Sequence, residues 1–471
     1  MTEMLHHWVT REANRRPDAA AVVLGEERLS YGELDILSNQ LGRALKERGC
    51  IRGDRISLLL PNSPLATVCL LGIYKADCIC VTLDPSASAV QLADAISETG
   101  SRCLLAAASL APRVRELLAQ PELPNLRIGW IGTPDLSQGI LPSAFRFSDI
   151  GALPGTSLRG AYRAQDTAHI FFAPGKDGRA RGVMSTHANL VAGIEWALRH
   201  FRINETDRIA GYVNLMQGAS LFDIFTALGS GAELHLVPSE AKLLPLRLAE
   251  WIRTSNITQW TSPSAVLNNM AEFDVVQAWD FPELRRVFWS ADTLPMGALG
   301  YWMKQLPHVQ FTKLYGAPEA GLACGYHTVS TFPERPDEEL PIGKAPEGSE
   351  LLVLDHNLQP VRAGETGWIY ARGAGLSPGY WRDGEATARS FPELDGVGRS
   401  YLTGELARLG HDGHYYHAGR AEALRTHANH GQPEAGDGWR AWDEFVDDSG
   451  DIDLRRLKGA WTRDGIDTAP R

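Results

Sequence analysis

The chain has 471 residues, of which 44% are hydrophobic and 22% charged, and its formal net charge is −11. This length allows two to four structural units, and the composition is that of an ordinary globular protein. The negative charge argues against nucleic acid or an anionic membrane as a partner, because both attract cationic surfaces.

Cysteine usage and the N-terminus indicate the compartment. The six cysteines show neither metal-ligand spacing nor the density of a disulfide framework, which predicts reduced, buried thiols. The N-terminal stretch MTEMLHHWVTREANRRPDAA lacks the apolar core of a signal peptide. No stretch approaches the roughly 18 uninterrupted apolar residues of a membrane span. We therefore expect a cytoplasmic protein.

Strand and helix signals alternate along the first part of the chain. The stretch AAVVLGEERLSY predicts a hairpin, and DRISLLL, DCICVTLDP, CLLAAAS and RIGWIG predict short strands. Helical apolar spacing in SPLATVCLLGIYKA predicts a helix with Ser63 as its N-cap. These repeated strand–helix–strand units indicate an α/β fold with a mostly parallel, helix-covered sheet.

The stretch FFAPGKDGRARGVMSTHANLV, residues 171–191, contains a loop rich in glycine and basic residues. Glycines let backbone N–H groups approach anionic oxygens, and a following helix would add its positive end. Such a loop alone is better explained as an ordinary surface turn. Asp177 is unexpected there, because it places a carboxylate in the middle of a candidate phosphate cradle.

The α/β signals resume after this loop and then change. RIAGYVNL, AELHLVP, ITQWTSP and LRRVFWSAD predict strands, and LFDIFTAL predicts a helix. From about Leu340, short strands with glycine turns predict a small β subdomain. We therefore predict α/β subdomains over about 1–200 and 201–335, a β subdomain over 336–425 and an acidic tail over 426–471.

Several of these landmarks, in this order, resemble the motifs of the adenylate-forming superfamily: acyl-CoA synthetases, nonribosomal peptide adenylation domains and luciferases. The matching stretches are LSYGELDILSNQLGRAL, LGIYKADCICVTLDP, the loop, LFDIFTALGSGAELHLVP, YGAPEAG, GETGWIYARGAGLSPGYW and YLTGELARLGHDGHYYHAGR. The resemblance covers about residues 5–425. It implies two stacked, mostly parallel sheets, a small β subdomain, ATP and Mg²⁺ as cofactors, and a carboxylic acid as substrate.

The resemblance also assigns roles to individual positions. Glu319 corresponds to the glutamate that holds Mg²⁺, and the family has a histidine at the position of His187, so these two are the catalytic candidates. The nucleotide-binding candidates are Gly175, Lys176, Gly178, Arg181, Asp292, Tyr315, Gly316, Glu405 and Arg420. The substrate-pocket candidates are Gly218, Ala219, Phe222, Leu314 and Leu322.

The loop departs from the family pattern. Ala173 and Pro174 replace the hydroxyl residues that precede the first glycine. Lys176 and Asp177 replace the pair that follows it, and Arg181 stands at the lysine position. The phosphates thus lose hydroxyl donors, and a carboxylate about 4 Å from a phosphate costs about 4 kcal/mol at an effective dielectric near 20. We predict that Asp177 pairs with a neighbouring cation and closes the loop into a turn.

Two further departures concern the acid and the end of the chain. Gly218 stands where amino-acid-activating relatives carry the aspartate that binds the substrate ammonium. A buried ammonium without a carboxylate is costly, which favours an apolar or aryl acid. Glu405 replaces the aspartate that binds the ribose. Beyond residue 425 the family's C-terminal domain, with its catalytic lysine, is not matched, so we expect impaired adenylation.

These observations leave three hypotheses open. The first is an adenylate-forming ligase for an apolar or aryl carboxylic acid. The second is a repurposed acyl-transfer enzyme of a biosynthetic pathway. The third is a non-catalytic homologue that binds a carrier protein or a partner synthetase. Retention of Glu319, Glu405 and Arg420 favours the first hypothesis, whereas the altered loop favours the other two.

Overall fold

The computed structural model describes residues 4–121, 123, 126–132, 143–174, 180–215, 217–290, 293–331 and 339–420. Its strands are β1 Ala20–Leu24, β2 Glu27–Ser30, β3 Arg55–Leu59, β4 Ile79–Thr82, β5 Cys103–Ala107, β6 Arg127–Ile131, β7 Phe145–Arg146, β8 Thr167–Pro174, β9 Ala180–Thr186, β10 Arg208–Gly211, β11 Glu233–Leu236, β12 Gln259–Pro263, β13 Arg286–Ser290, β14 Gln310–Tyr315, β15 Gly325–Val329, β16 Ser349–Leu354, β17 Thr366–Gly373, β18 Glu393–Leu394, β19 Gly398–Arg399, β20 Tyr401–Leu409 and β21 Tyr415–Arg420. Its helices are α1 Leu5–Arg15, α2 Tyr31–Glu47, α3 Pro64–Lys75, α4 Ala89–Thr99, α5 Ala111–Leu118, α6 Phe147–Ile150, α7 His187–His200, α8 Gly218–Ser230, α9 Ser239–Lys242, α10 Pro245–Thr254, α11 Ser264–Glu272, α12 Met296–Gln305 and α13 Gly384–Ser390.

Two large sheets carry the fold. One has seven strands in the order β7-β6-β5-β3-β4-β8-β9, and all its pairs except β8–β9 are parallel. The other has eight strands in the order β15-β14-β13-β12-β10-β11-β1-β2, parallel except at its two edges. A shared core joins residues of both sheets with residues of α2, α3, α7 and α8. The predicted α/β fold class is confirmed.

The N-terminal hairpin belongs to the sheet formed by later strands. β1 and β2 pair as predicted from AAVVLGEERLSY, but β1 also pairs in parallel with β11. The first thirty residues therefore add two strands to the sheet that contains β10–β15. Chain order alone does not separate the two large sheets, and the proposed subdomain limits near residues 200 and 335 stay a prediction.

A third, antiparallel sheet follows in the order β16-β17-β20-β21, which is the short-strand pattern predicted after Leu340. Its two faces bury separate apolar clusters. The six cysteines are buried and unpaired, as predicted. Across the described ranges, no helix is long and apolar enough to cross a membrane. The predicted tail lies outside the described residues.

Local signals explain how several elements begin. The Ser63 hydroxyl accepts a hydrogen bond from the Ala66 N–H, so Ser63 caps α3 as predicted. Thr186 caps α7 and forms a reciprocal capping box with Asn189. The structure corrects one expectation, because no helix directly follows the glycine-rich loop. The whole of β9, about 20 Å of extended chain, lies between the loop and the N-terminus of α7.

Candidate functional site

Three of the predicted site residues, Tyr315, Glu319 and Glu405, lie where the large sheets adjoin the small one. β14 ends at Tyr315, and a 3-10 turn over Pro318–Ala320 carries Glu319 directly afterwards. β20 of the small sheet brings Glu405 into contact with Tyr315. β9 lies alongside the segment 377–381. The carboxyl end of β14, which pairs in parallel with β13, therefore borders the site, and α/β sheets usually bind ligands at such ends.

Tyr315 and Glu405 are hydrogen-bonded to each other. The Tyr315 hydroxyl donates to Glu405 Oε2 across 2.7 Å, and His417 Nε2 lies 3.3 Å from the same oxygen. Burial above all raises the pKa of Tyr315, so the phenol keeps its proton and acts as a donor. An ionised carboxylate offers about four acceptor sites, enough for one tyrosine and two vicinal hydroxyls. The pair thus fits the sugar of a nucleoside.

The backbone of Arg420 lies close to Glu405. Its residue position lies directly opposite Glu405 in the β20–β21 ladder. Its side chain lies outside the described part of the chain. The register alone places the predicted arginine on the strand next to the predicted ribose carboxylate, as the family motif order implies.

Glu319 is buried beneath a tyrosine hydroxyl. The Tyr380 hydroxyl donates to Glu319 Oε1 across 3.0 Å, and the Tyr401 hydroxyl also interacts with this carboxyl. Burial raises the pKa of Glu319, which disfavours its charged form, whereas both tyrosines act in the opposite direction. The backbone carbonyl of Glu319 also accepts from the Ser377 N–H.

Arg181 already has an acidic partner. Its Nε lies 3.4 Å from Asp383 Oδ2, and its side chain is only 17% exposed. Asp383 is the N-cap of α13, where its other oxygen accepts from the Ala386 N–H. The cation expected to meet phosphate therefore shares its charge with a carboxylate on the small subdomain.

Three of the predicted pocket residues share one apolar cluster, and the other two begin α8. Phe222 and Leu314 are buried in one core cluster, and Leu322 packs against it. A Cβ built on Gly218 would lie 4.0 Å from Phe171 Cζ, in ordinary contact. Leu322 lies 3.5 Å from a Cβ built on Gly193 of α7. The surroundings are apolar, which suits an aryl or alkyl group.

Gly316 needs to be glycine for a packing reason. A Cβ there would lie 3.2 Å from Ala323 Cα and 3.3 Å from the Cys324 nitrogen. The Cys324 N–H donates to the Tyr315 carbonyl, which fixes this close approach of the two chain segments. A side chain at position 316 would force the segments apart beside Tyr315.

His187 does not face the site. Its imidazole is fully buried, and its ring meets those of Tyr74, Tyr162 and His6 edge-on at 5.2, 5.3 and 5.8 Å. Burial lowers the pKa of His187 to about 3. An imidazole enclosed in this way cannot reach a substrate, so the geometry argues for a structural role and against the predicted catalytic one.

Several predicted residues lie outside the described part of the chain. They are Gly175, Lys176, Asp177, Gly178, Asp292 and the side chain of Arg420. The predicted pairing of Asp177 and the phosphate contacts of the loop therefore stay predictions. β8 and β9 show that the loop joins two antiparallel strands.

The residues present fit the two implied cofactors unequally. For a nucleoside, Tyr315 offers an aromatic ring, Gly316 a backbone without a side chain, and Glu405 a carboxylate. Within the described ranges no group of three or more His, Cys, Asp and Glu side chains could hold a metal alone. Mg²⁺ commonly uses one or two carboxylates and the phosphates of a nucleotide. Glu319 fits that requirement only together with a bound nucleotide.

The structure contains a cavity that the sequence did not indicate. A space of about 460 Å³ opens at the carboxyl ends of β1, β3, β4, β10 and β11. Its lining includes Leu24, Asn62, Asp84, Leu215 and Lys242. A smaller pocket continues from it to Ser220 and Ile224, on the opposite face of α8 from Gly218 and Phe222. None of the predicted site residues lines either space.

Comparison with known proteins gives consistent matches. A model described as AMP-binding enzyme matches residues 9–381. Syringomycin synthase SyrB1 of Pseudomonas syringae pv. syringae is 28% identical over 424 residues, which cover 89% of this chain and 65% of that protein. Novobiocin biosynthesis protein H of Streptomyces niveus is 28% identical over 422 residues, with 88% and 65% covered. The chain thus spans about two thirds of these relatives.

A third relative and two solved structures extend the comparison. The L-proline--[L-prolyl-carrier protein] ligase of Streptomyces coelicolor is 26% identical over 88% of this chain and 77% of that protein. The structure of CmiS6 matches with a TM-score of 0.75 and 26% identity, over 88% of this chain and 97% of that one. The nonribosomal peptide synthetase FmoA3 matches with a TM-score of 0.78 at 23% identity, over 98% of this chain and 48% of that one. The FmoA3 match supports the fold alone.

Proposed function

This chain belongs to the AMP-binding enzyme family, and we propose that it is the core of an adenylate-forming ligase that activates an apolar or aryl carboxylic acid. In such a reaction a carboxylate oxygen attacks the α-phosphorus of ATP, and pyrophosphate leaves as the acyl-adenylate forms. The observation that carries the proposal is the Tyr315–Glu405 hydrogen bond beside Glu319.

The nucleoside half of the site supports this function most strongly. We assign the ring of Tyr315 and the backbone of Gly316 to the adenine and Glu405 to the ribose hydroxyls. The Tyr315 bond orients the Glu405 carboxylate before any ligand arrives, which lowers the cost of ordering it on binding. Arg420, opposite Glu405 in the ladder, is assigned to the same nucleotide.

We expect the residues around the phosphates to bind them more weakly than the residues of a relative with an intact loop do. Ala173 and Pro174 supply no hydroxyl donors, and Arg181 is paired with Asp383. Each lost hydrogen bond to a charged group is worth about 1.5–3 kcal/mol. We propose that the adenylation step is slowed for this reason, and that Mg²⁺ and the triphosphate bind together beside Glu319.

The acid half supports an apolar substrate. Gly218 and Ala219 begin α8, and Phe222, Leu314 and Leu322 belong to or pack against one apolar cluster. Position 218 lacks the carboxylate that an ammonium group would require. The name of one relative states a carrier protein as its acceptor. We propose by analogy that the activated acyl group passes to a carrier protein.

ATP–pyrophosphate exchange with a panel of acids tests the proposal. We expect exchange with benzoate-like and alkyl acids at less than about 1 s⁻¹, the lower end of ordinary enzyme turnover. We expect none with α-amino acids. Exchange that prefers an α-amino acid contradicts the assignment of the pocket, and rapid exchange contradicts the weakened phosphate half.

One observation favours a second candidate function. The guanidinium of Arg181, which would contact the phosphates, is paired with the Asp383 carboxylate. A non-catalytic homologue that binds a carrier protein or a partner synthetase would need no such cation. Complete absence of exchange, together with retained binding of a carrier protein, would select this alternative.

A further inference from the structure

Tyr380 contacts the proposed metal-binding carboxylate directly. Its hydroxyl lies 3.0 Å from Glu319 Oε1 and donates to it. The Tyr401 hydroxyl shares in the same small network. Glu319 itself is 7% exposed, so its carboxyl has little contact with solvent.

The ring of Tyr380 is held in place by its own neighbours. Its backbone N–H donates to Thr387 Oγ1 across 2.9 Å, and its ring meets Phe391 edge-on at 5.8 Å. These contacts hold Tyr380 in place, so its hydroxyl stays directed at Glu319.

The backbone of the same segment is joined to β9. Tyr380 forms an antiparallel bridge with Val183. The Trp381 N–H donates to the Gly182 carbonyl across 2.7 Å, and the Met184 N–H donates to the Gly379 carbonyl across 3.0 Å. β9 begins immediately after the predicted phosphate loop. Tyr380 thus links the strand of that loop to Glu319.

We propose that Tyr380 is a positioning residue that holds Glu319 for the divalent cation of a bound nucleotide. This inference rests on the proposed function, because it needs a nucleotide at the site. Glu319 remains the residue that contacts the cation, and Tyr380 acts only through it. Hydrogen bonds to metal-binding carboxylates fix their orientation, and loss of such an outer partner typically lowers metal affinity by about 10–100-fold.

The test measures binding of Mn²⁺ to the full chain with α,β-methylene-ATP, by electron paramagnetic resonance. We expect Tyr380→Phe, which keeps the ring and its packing, to weaken Mn²⁺ binding in the ternary complex by about 10–100-fold. Binding of the analogue without metal stays unchanged. Tyr370→Phe is the matched control, since Tyr370 is buried in the other apolar cluster of the same small sheet and is expected to change neither value.

A double-mutant cycle with Glu319→Gln assigns the effect to the contact. In the Glu319→Gln background, Tyr380→Phe is expected to cause no further loss of Mn²⁺ affinity. An equal loss in both backgrounds overturns the inference, and so does a Tyr380→Phe chain that fails to fold, because the hydroxyl would then be a structural group. An unchanged Mn²⁺ affinity overturns the role of Tyr380 alone. Absence of any ternary complex in the wild-type chain overturns the proposed function as well.

Discussion

The Tyr315 hydroxyl donates to the Glu405 carboxylate across 2.7 Å, and this bond joins the end of β14 to the small sheet. Tyr315 comes from the sheet that also holds the N-terminal hairpin, whereas Glu405 comes from the third sheet. The nucleoside half of the proposed site therefore forms only when these two parts of the fold meet.

Replacement of Glu405 by alanine tests this half directly. We expect Glu405→Ala to raise the dissociation constant for AMP about 10–100-fold, because a hydrogen bond to a charged group contributes about 1.5–3 kcal/mol. Isothermal titration calorimetry measures the change. Glu350→Ala, which removes an exposed carboxylate of the same sheet, serves as the control and leaves AMP affinity unaltered. Equal affinities for all three chains would place the nucleoside elsewhere.

Position 218 decides whether an ammonium group is accepted. A Cβ at Gly218 meets only ordinary contact, so Gly218→Asp fits, and a carboxylate at the first residue of α8 is favoured by the helix dipole. We expect this variant to lose exchange with apolar acids and to gain it with α-amino acids. Gly218→Asn has nearly the same shape without the charge and is expected to gain none. An identical acid preference for both variants contradicts the assignment.

His187 is expected to affect acid stability and not ligand binding. Its pKa is lowered by burial from 6.5 to about 3, so the unfolded chain binds a proton that the folded chain does not. The stability it contributes is complete above pH 6.5 and is lost as the pH falls, by up to about 1.4 kcal/mol per unit. We expect His187→Leu to reduce the fall in the free energy of unfolding at acid pH, measured by urea unfolding, and to leave AMP affinity unchanged. His6 has the same sign of shift, so only part of the dependence disappears.

A loss of AMP affinity in His187→Leu, in a chain that still unfolds cooperatively, would restore the catalytic assignment. His411→Gln changes an exposed histidine and is the matched control for this comparison. It is expected to change neither the pH dependence of the free energy of unfolding nor the AMP affinity.

Asp223 is a buried acid that lowers stability at neutral pH. Thr261 donates to Asp223 Oδ1, whereas Oδ2 has no hydrogen-bond partner in the described structure. Burial raises the pKa of Asp223 well above 3.8, so above that pH the unfolded chain ionises first and stability falls as the pH rises. We expect Asp223→Asn to gain stability over the wild type as the pH rises above 3.8, by up to about 1.4 kcal/mol per unit. A constant difference in urea unfolding across this range would show that Asp223 ionises normally.

Local patterns in the sequence predicted much of the fold. The cap at Ser63, the strands around Val81 and Leu105 and the short strands after Leu340 depend on periodicity and capping within a few residues. The pairing of β1 with β11 does not, because it joins segments two hundred residues apart. For the same reason the contact of Tyr380 with Glu319 was missed, although Tyr380 stands in the quoted stretch GLSPGYW.

The prediction of the candidate site depends on motif order and not on chemistry at single positions. Tyr315 and Glu405 lie together as the motifs imply. His187 occupied a matching position but is enclosed by aromatic rings, and burial of that kind depends on packing between distant helices. Arg181 has the predicted type of charge, yet its partner Asp383 comes from a segment two hundred residues away.

Calorimetric titration of the chain with a non-hydrolysable acyl-adenylate analogue, a benzoyl sulfamoyl-adenosine, tests whether the site binds an adenylate. This ligand needs the nucleoside and acid halves of the site but neither the triphosphate nor the metal. We expect micromolar or tighter binding, equivalent to about −8 kcal/mol or better, and we expect Glu405→Ala to weaken it. No binding by the wild-type chain, or binding that Glu405→Ala leaves unchanged, would contradict the claim that this site holds an adenylate.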